Sequence, residues 1–120
     1  MTWRQFVLLV VIALSVSLGL VMCTKAAERC GDASWYGAQH HGRTMANGKP
    51  FNMHAMTAAM WDVPFGTEYR VTYKGRSVVV TIRDRGPARR LGRIIDLSYA
   101  AAKQLGMIRE GVGRVCLTRL

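Results

Sequence analysis

The sequence predicts a small, mainly β fold, with about six short strands closed into a barrel and one clear helix. Three observations carry this. The apolar segments are short and bounded by Gly, Pro or Asn turn signals. Two of them, Glu68–Tyr73 and Ser77–Ile82, flank the tight turn Lys74-Gly75-Arg76, as the arms of a hairpin do. One segment alone, Tyr99–Leu105, has helical composition with a capping residue before it and a glycine after it.

The N-terminus is read as a leader. Met1-Thr2-Trp3-Arg4 carries a positive charge, and Phe6–Met22 is an uncharged apolar run. That is the layout of a secretory signal, so the chain is expected to be exported. A retained membrane helix is the competing reading, because the run is near the shortest length that spans a bilayer. Thr24-Lys25-Ala26 suits cleavage after Ala26, making 1–26 the signal peptide and 27–120 one small domain. Leu20-Val21-Met22-Cys23 resembles a lipobox, which would lipidate Cys23 and attach the chain to a membrane. Such boxes favour a smaller residue than Met22. Cys30 and Cys116 lie near the ends of the domain and read as a disulfide in an exported protein, with two buried thiols as the alternative. The bridge would make the first and last strands neighbours.

Within the domain, Ala33–Tyr36 reads as the first strand, stopped by Gly37. Gln39–Phe51 is a polar loop with a turn at Asn47-Gly48. Ala55–Met60 is too short for its periodicity to separate helix from strand. Pro64-Phe65-Gly66 is a turn. Glu68–Tyr73 alternates polar and apolar, as a half-buried strand does. After Ser77–Ile82 comes an Arg-rich loop, then a strand at Arg93–Asp96. Ser98 or Asp96 is placed to cap the helix that Gly106 ends. Val112–Leu120 alternates again as the last strand.

The chain holds 17 Lys+Arg against 7 Asp+Glu, a formal net charge of +10. Such a surface favours anionic partners. The charges are spread out, densest at Arg83–Arg93, and no aromatic-interleaved basic stripe argues for specific nucleic-acid binding. The most informative stretch is Arg83-Asp84-Arg85-Gly86-Pro87, where a β-branched strand stops at an acid. An acid at a strand end is held still yet reachable, which is what a catalytic carboxyl needs. Flanking arginines stabilise a charged carboxylate, whereas a general acid needs its proton. The competing role for Asp84 is an ion pair that orders the loop. Gly86 and Pro87 are read as structural. Asp96 ends a second apolar strand and is read as a helix cap or a buttress for the Arg loop. Trp35 and Tyr36 suit either the core or the face of a sugar. His40 and His41 are adjacent in a loop and lack a third ligand at metal-binding spacing, so no metal is expected.

Motifs in order carry a family resemblance: Trp35-Tyr36-Gly37, His41-Gly42-Arg43-Thr44, Ala46-Asn47-Gly48, Phe51-Asn52, Thr57-Ala58-Ala59, Pro64-Phe65-Gly66-Thr67, Arg83-Asp84-Arg85-Gly86-Pro87 and Arg93-Ile94-Ile95-Asp96-Leu97-Ser98. Together they resemble rare lipoprotein A, the RlpA family of septal lytic transglycosylases, across nearly all of residues 33–120. The resemblance implies a double-psi β-barrel acting in the cell envelope, peptidoglycan glycan strands as substrate, and 1,6-anhydro-muramic ends as product. It implies no cofactor or metal. It points to Asp84 as the catalytic carboxyl, serving as acid and then base. Trp35, Tyr36, His41, Thr44, Asn47, Lys49, Arg83 and Arg85 are read as substrate-binding, in a domain expected to act as a monomer. Two positions depart from the family pattern. Lys49 stands where a glutamate is usual, and Met60 where a histidine is usual. The alternative is therefore an expansin-like module that holds or loosens wall glycan without cutting it.

Overall fold

The computed structural model describes residues 27–120, so the expected signal at 1–26 and the lipobox Cys23 lie outside the described residues. Within 27–120 six strands form: β1 (Glu28–Tyr36), β2 (Thr57–Ala59), β3 (Glu68–Tyr73), β4 (Arg76–Asp84), β5 (Ile95–Ser98) and β6 (Val112–Arg119). They close into a barrel in the order β1-β5-β2-β4-β3-β6. Among the described residues a single α-helix, α1 (Tyr99–Leu105), packs against it, and a 3₁₀ turn spans Arg89–Leu91. Two neighbour pairs, β1 with β5 and β2 with β4, run parallel. Parallel neighbours need a crossover, so the chain passes over the barrel between them.

The β3–β4 hairpin follows from its sequence. Tyr69, Val71 and Tyr73 face the core from β3, and Val78, Val80 and Ile82 from β4, with exposed residues between them. Lys74 and Gly75 both adopt positive φ, 45° and 79°, the turn whose twist matches that of the flanking strands. For α1, Ser98 is the N-cap, its Oγ accepting from the Ala101 N–H at 3.3 Å. Gly106 closes the helix in the left-handed conformation at φ 76°. Ala101, Ala102 and Leu105 bury the inner face of α1. Asp96 does not cap this helix.

Several boundaries differ from the sequence reading: β4 spans Arg76–Asp84 rather than Ser77–Ile82, β6 ends at Arg119 rather than Leu120, and three other elements differ as well. β1 starts at Glu28 rather than Ala33, because its polar first half pairs with β6 from Glu28↔Thr118 to Ser34↔Val112. β5 begins at Ile95 and runs through Ser98, two residues later than expected. The ambiguous Ala55–Met60 segment contains β2, whose three residues are all buried. A strand enclosed on both faces has no polar side to alternate with.

Cys30 and Cys116 form a disulfide and are directly paired across β1 and β6. The bridge closes a separation of 86 residues. Constraining so long a loop in the unfolded chain is worth about 4 kcal/mol. The Cys30→Ser/Cys116→Ser variant is therefore expected to melt roughly 15 °C or more below wild type. A thermal melt followed by circular dichroism measures this.

Among the described residues, one buried side-chain polar atom lacks a partner: the Thr57 hydroxyl, at the start of β2. An unpaired buried hydroxyl costs about 1–3 kcal/mol. Thr57→Val keeps the shape and removes the hydroxyl, so it is expected to raise the denaturation midpoint. Urea unfolding tests the sign.

Candidate active site

Asp84 is the last residue of β4, and Asp96 is the second residue of β5. Strand β2 lies between them. Ala59 of β2 is in register with Asp84 on one side and with Asp96 on the other. Two strand spacings therefore separate the two backbones, about 9–10 Å. Both acids line one cavity of 220 Å³, and Ala59 lines it too. The register of β2 against β4 shifts between Ala58 and Ala59, so that Ala58 faces Ile82 and Ala59 faces Asp84. This is a β-bulge at Arg83, a device that bends a strand and re-aims the following side chain.

The Asp84 carboxylate is held asymmetrically. Its Oδ1 accepts from the Ala46 N–H at 2.9 Å and from the Arg85 N–H at 2.8 Å. Its Oδ2 accepts only from the Tyr36 hydroxyl, at 3.4 Å. The backbone thus fixes one oxygen and leaves the other without a backbone partner among the described residues. Neither flanking guanidinium pairs with it. Arg83 is exposed, on the outward side of β4. Arg85 donates to the Met60 carbonyl at 3.1 Å and lies 3.9 Å over the Phe65 ring. The ion pair that the sequence left open for Asp84 does not form, and Gly86 accounts for the turn beyond it. The φ of Gly86 is 146°, a conformation open to glycine, and a Cβ there would sit 3.6 Å from that of Ala59.

Asp96 is a different kind of acid. It is half-buried and accepts from Ser34 Oγ at 3.1 Å. Burial pushes its carboxyl above the ordinary value of 3.8. The Ser34 hydrogen bond, then Arg93 and His40, oppose that rise, while the Asp84 charge adds to it. Asp96 therefore keeps a proton more readily than a surface carboxylate does. Tyr36 is pushed upward too, first by burial and then by the charges of Asp84 and Asp96. It remains a neutral O–H donor.

The 38–51 loop forms the opposite wall. Gly42 N–H donates to the Phe51 carbonyl at 2.8 Å, and Phe51 N–H to the Arg43 carbonyl at 2.7 Å. A bridge at Thr44↔Pro50 tightens the hairpin. Phe51 stacks on Tyr36 with ring centroids 4.3 Å apart, and the Asp84–Ala46 bond ties the hairpin to β4. Arg43 and Thr44 line the cavity beside Tyr36.

Of the residues singled out in the sequence, Asp84, Tyr36, Thr44, Arg85 and Asp96 meet in this cavity. The others lie elsewhere. Trp35 packs against Tyr99, with centroids 5.7 Å apart, because neighbouring residues of a strand face opposite sides. His41 Nδ1 accepts from the Met53 N–H at 3.1 Å, which turns the ring toward His54, and His40 lines the cavity instead. Asn47 Oδ1 accepts from the Lys49 N–H at 3.0 Å and so holds the turn, and Lys49 is exposed at the hairpin tip. Arg43, Met45, Phe51 and Ala59 line the cavity without having been singled out. The motifs His41-Gly42-Arg43-Thr44, Phe51-Asn52 and Thr57-Ala58-Ala59 include three of them.

A family model described as lytic transglycolase matches residues 28–117. A probable endolytic peptidoglycan transglycosylase RlpA of Synechocystis sp. is 54% identical over 89 residues, 72% of this chain and 27% of the relative. The corresponding Aquifex aeolicus protein is 52% identical over 96 residues, 78% of this chain and 41% of the relative. The endolytic peptidoglycan transglycosylase RlpA of Pseudomonas aeruginosa is 45% identical over 93 residues, 76% and 27% of the two chains. The chain thus spans between a quarter and about two fifths of these curated relatives. Among solved structures, the Streptomyces papain inhibitor superposes with a TM-score of 0.62 at 26% identity, over 78% of this chain and 94% of that one. The Clavibacter michiganensis expansin superposes with a TM-score of 0.63 at 23% identity, over 78% and 50%. The family match runs from the first strand of the barrel into the last, and the chain therefore belongs to the lytic transglycolase family of double-psi β-barrel domains, that of the RlpA proteins.

Proposed function

We propose that this domain cleaves the glycan strands of peptidoglycan in the cell envelope, without water, leaving 1,6-anhydro-muramic ends. The observation that carries this is the pair of unlike carboxyls, Asp84 and Asp96, both in register with Ala59 and lining one cavity. Two acids whose surroundings set them apart divide acid and base work between them. Asp96 is the more readily protonated of the pair through its burial, and its protonated form gives the proton to the glycosidic oxygen as the bond from that oxygen to C1 breaks. The muramic 6-hydroxyl attacks C1, and Asp84 Oδ2 takes the hydroxyl proton as the new C1–O6 bond forms. Solvent exchange then returns a proton to Asp96 and removes one from Asp84. The sequence reading gave both steps to Asp84, whereas the cavity provides a second carboxyl for the first of them. Tyr36, Thr44 and Arg43 are placed to orient the sugar. The disulfide suits an oxidising compartment outside the cytoplasm.

The charge at Lys49, where the family usually has glutamate, favours the second reading of a module that binds wall glycan without cutting it. Incubating the chain with peptide-stripped glycan strands, followed by mass analysis of the ends, separates the two. Anhydro-muramic products support cleavage. Retained binding to sacculi with no such product would establish the binding module instead.

A further inference from the structure

The loop between β4 and β5 is tied down at both ends. The Trp61 Nε1–H donates to the Pro87 carbonyl at 2.6 Å, and the Ile94 N–H donates to the Asp32 carbonyl of β1 at 2.8 Å. Between these ties stands the 3₁₀ turn Arg89–Leu91. The Leu91 N–H donates to the Ala88 carbonyl at 3.0 Å, and Gly92 ends the turn at φ 68°. Arg89, Arg90 and Leu91 all face solvent, with Leu91 46% exposed. Arg89 lies 4.6 Å over the Trp61 ring.

Beside the turn is a second cavity of 340 Å³, whose walls include Arg29 of β1, Trp61, Arg89 and Arg93. It shares no lining residue with the Asp84 cavity. Asp62 also lines it and stands 3.5 Å from Arg89, but both side chains are mostly exposed, so water screens the pair. Among the described residues, no carboxylate lies within ion-pair distance of Arg29, Arg90 or Arg93. Glu28 and Asp32 alternate with Arg29 along β1 and so face the other side of the strand.

Arginines, an indole and an exposed leucine thus share one fixed face. Guanidinium forks match phosphate oxygens in pairs of parallel hydrogen bonds. Tryptophan suits the headgroup level of a bilayer, and an apolar side chain beside basic ones suits the boundary beneath it. A polyanion in solution would engage the arginines and leave Leu91 in water. The place of the face in the chain points the same way. Arg29 follows Met22, the end of the apolar run Phe6–Met22, by seven residues. Seven residues span at most about 25 Å, so a retained or lipidated leader would hold this face close to a membrane.

We propose that the face made by Arg29, Trp61, Arg89, Arg90 and Leu91 docks the domain on an anionic phospholipid surface. None of these residues lines the Asp84 cavity, so docking occupies none of the groups assigned to glycan. The contact does not depend on glycan cleavage.

Hydrogen exchange read by mass spectrometry tests this on the full chain. One sample holds phosphatidylcholine vesicles, the other vesicles of phosphatidylcholine mixed with phosphatidylglycerol. The apolar run is common to both samples, so a difference at the loop reports the charge of the surface. The amides of residues 88–93 are expected to exchange about tenfold more slowly on the anionic vesicles than on the neutral ones. In the Arg29→Gln/Arg89→Gln/Arg90→Gln variant, exchange should be the same on both. All three substituted residues are exposed, so the variant should melt as wild type does. Equal wild-type exchange on the two vesicles, or protection that survives in the variant, would overturn the proposal. Soluble polyglycerol phosphate is added to a third sample at the same phosphate concentration. If it slows residues 88–93 as much as the anionic vesicles do, the face is a site for dissolved polyanions and the membrane assignment fails. A weaker effect than that of the vesicles supports the bilayer.

Discussion

Asp84→Asn is expected to lower the rate of anhydro-muramic end formation by about 10²–10⁴-fold, the usual contribution of a positioned acid or base. The fold survives the change. Asparagine keeps an oxygen for the Ala46 and Arg85 N–H groups, so the 38–51 hairpin stays tied to β4. What it loses is a basic oxygen at the Oδ2 position, where only the Tyr36 hydroxyl now donates. Binding of glycan strands should therefore change little while turnover collapses. Single-turnover digestion with mass analysis, together with a sacculus-binding assay, reads the two effects separately. A variant as active as wild type would remove Asp84 from the chemistry.

Asp96→Asn is expected to reduce turnover by a similar factor while moving stability the other way. Burial raises the Asp96 carboxyl above 3.8, so the folded protein binds this proton more tightly than the unfolded chain does. The contribution of that proton to stability is fully present below the unfolded value. It is lost as pH rises through the higher folded value, and at neutral pH the protein carries the cost of a half-buried charge. Asparagine keeps the Ser34 contact and has no charge to bury. The variant should melt above wild type at pH 7, with the gap closing toward pH 3. In wild type, turnover should fall as pH rises through the Asp96 value, and Asp96→Asn should remove that limb from what activity remains. Melting curves and rate profiles across this range test both statements. A variant that is less stable than wild type at pH 7 would contradict the burial account.

Much of the framework was legible because it depends on local signals. The β3–β4 hairpin, its Lys74-Gly75 turn and helix α1 from Ser98 to Gly106 each follow from neighbours in sequence. The first half of β1 was not legible, since Glu28–Asp32 is polar and becomes a strand only by pairing with β6. Nor was β2, which is buried on both faces. The same division holds at the site. Asp84 stood out because it ends a β-branched run within a dense motif. The place of Asp96 depends on the register of β5 against β2, and that of Arg85 on a carbonyl and a ring from distant segments. The exchange between His40 and His41 turns on one backbone N–H at Met53.

The position of Ala59 between the two acids also governs timing. Asp84 and Asp96 belong to strands that do not touch each other, and each finds its place only against β2. The local hairpin forms early in folding, whereas pairings between distant segments come late. The two carboxyls are thus brought together by barrel closure itself. A chain not yet folded or partly proteolysed holds both acids without the geometry that the proposed cleavage needs. On the proposed reading, a domain that cuts wall glycan is silent until its last strands are in place.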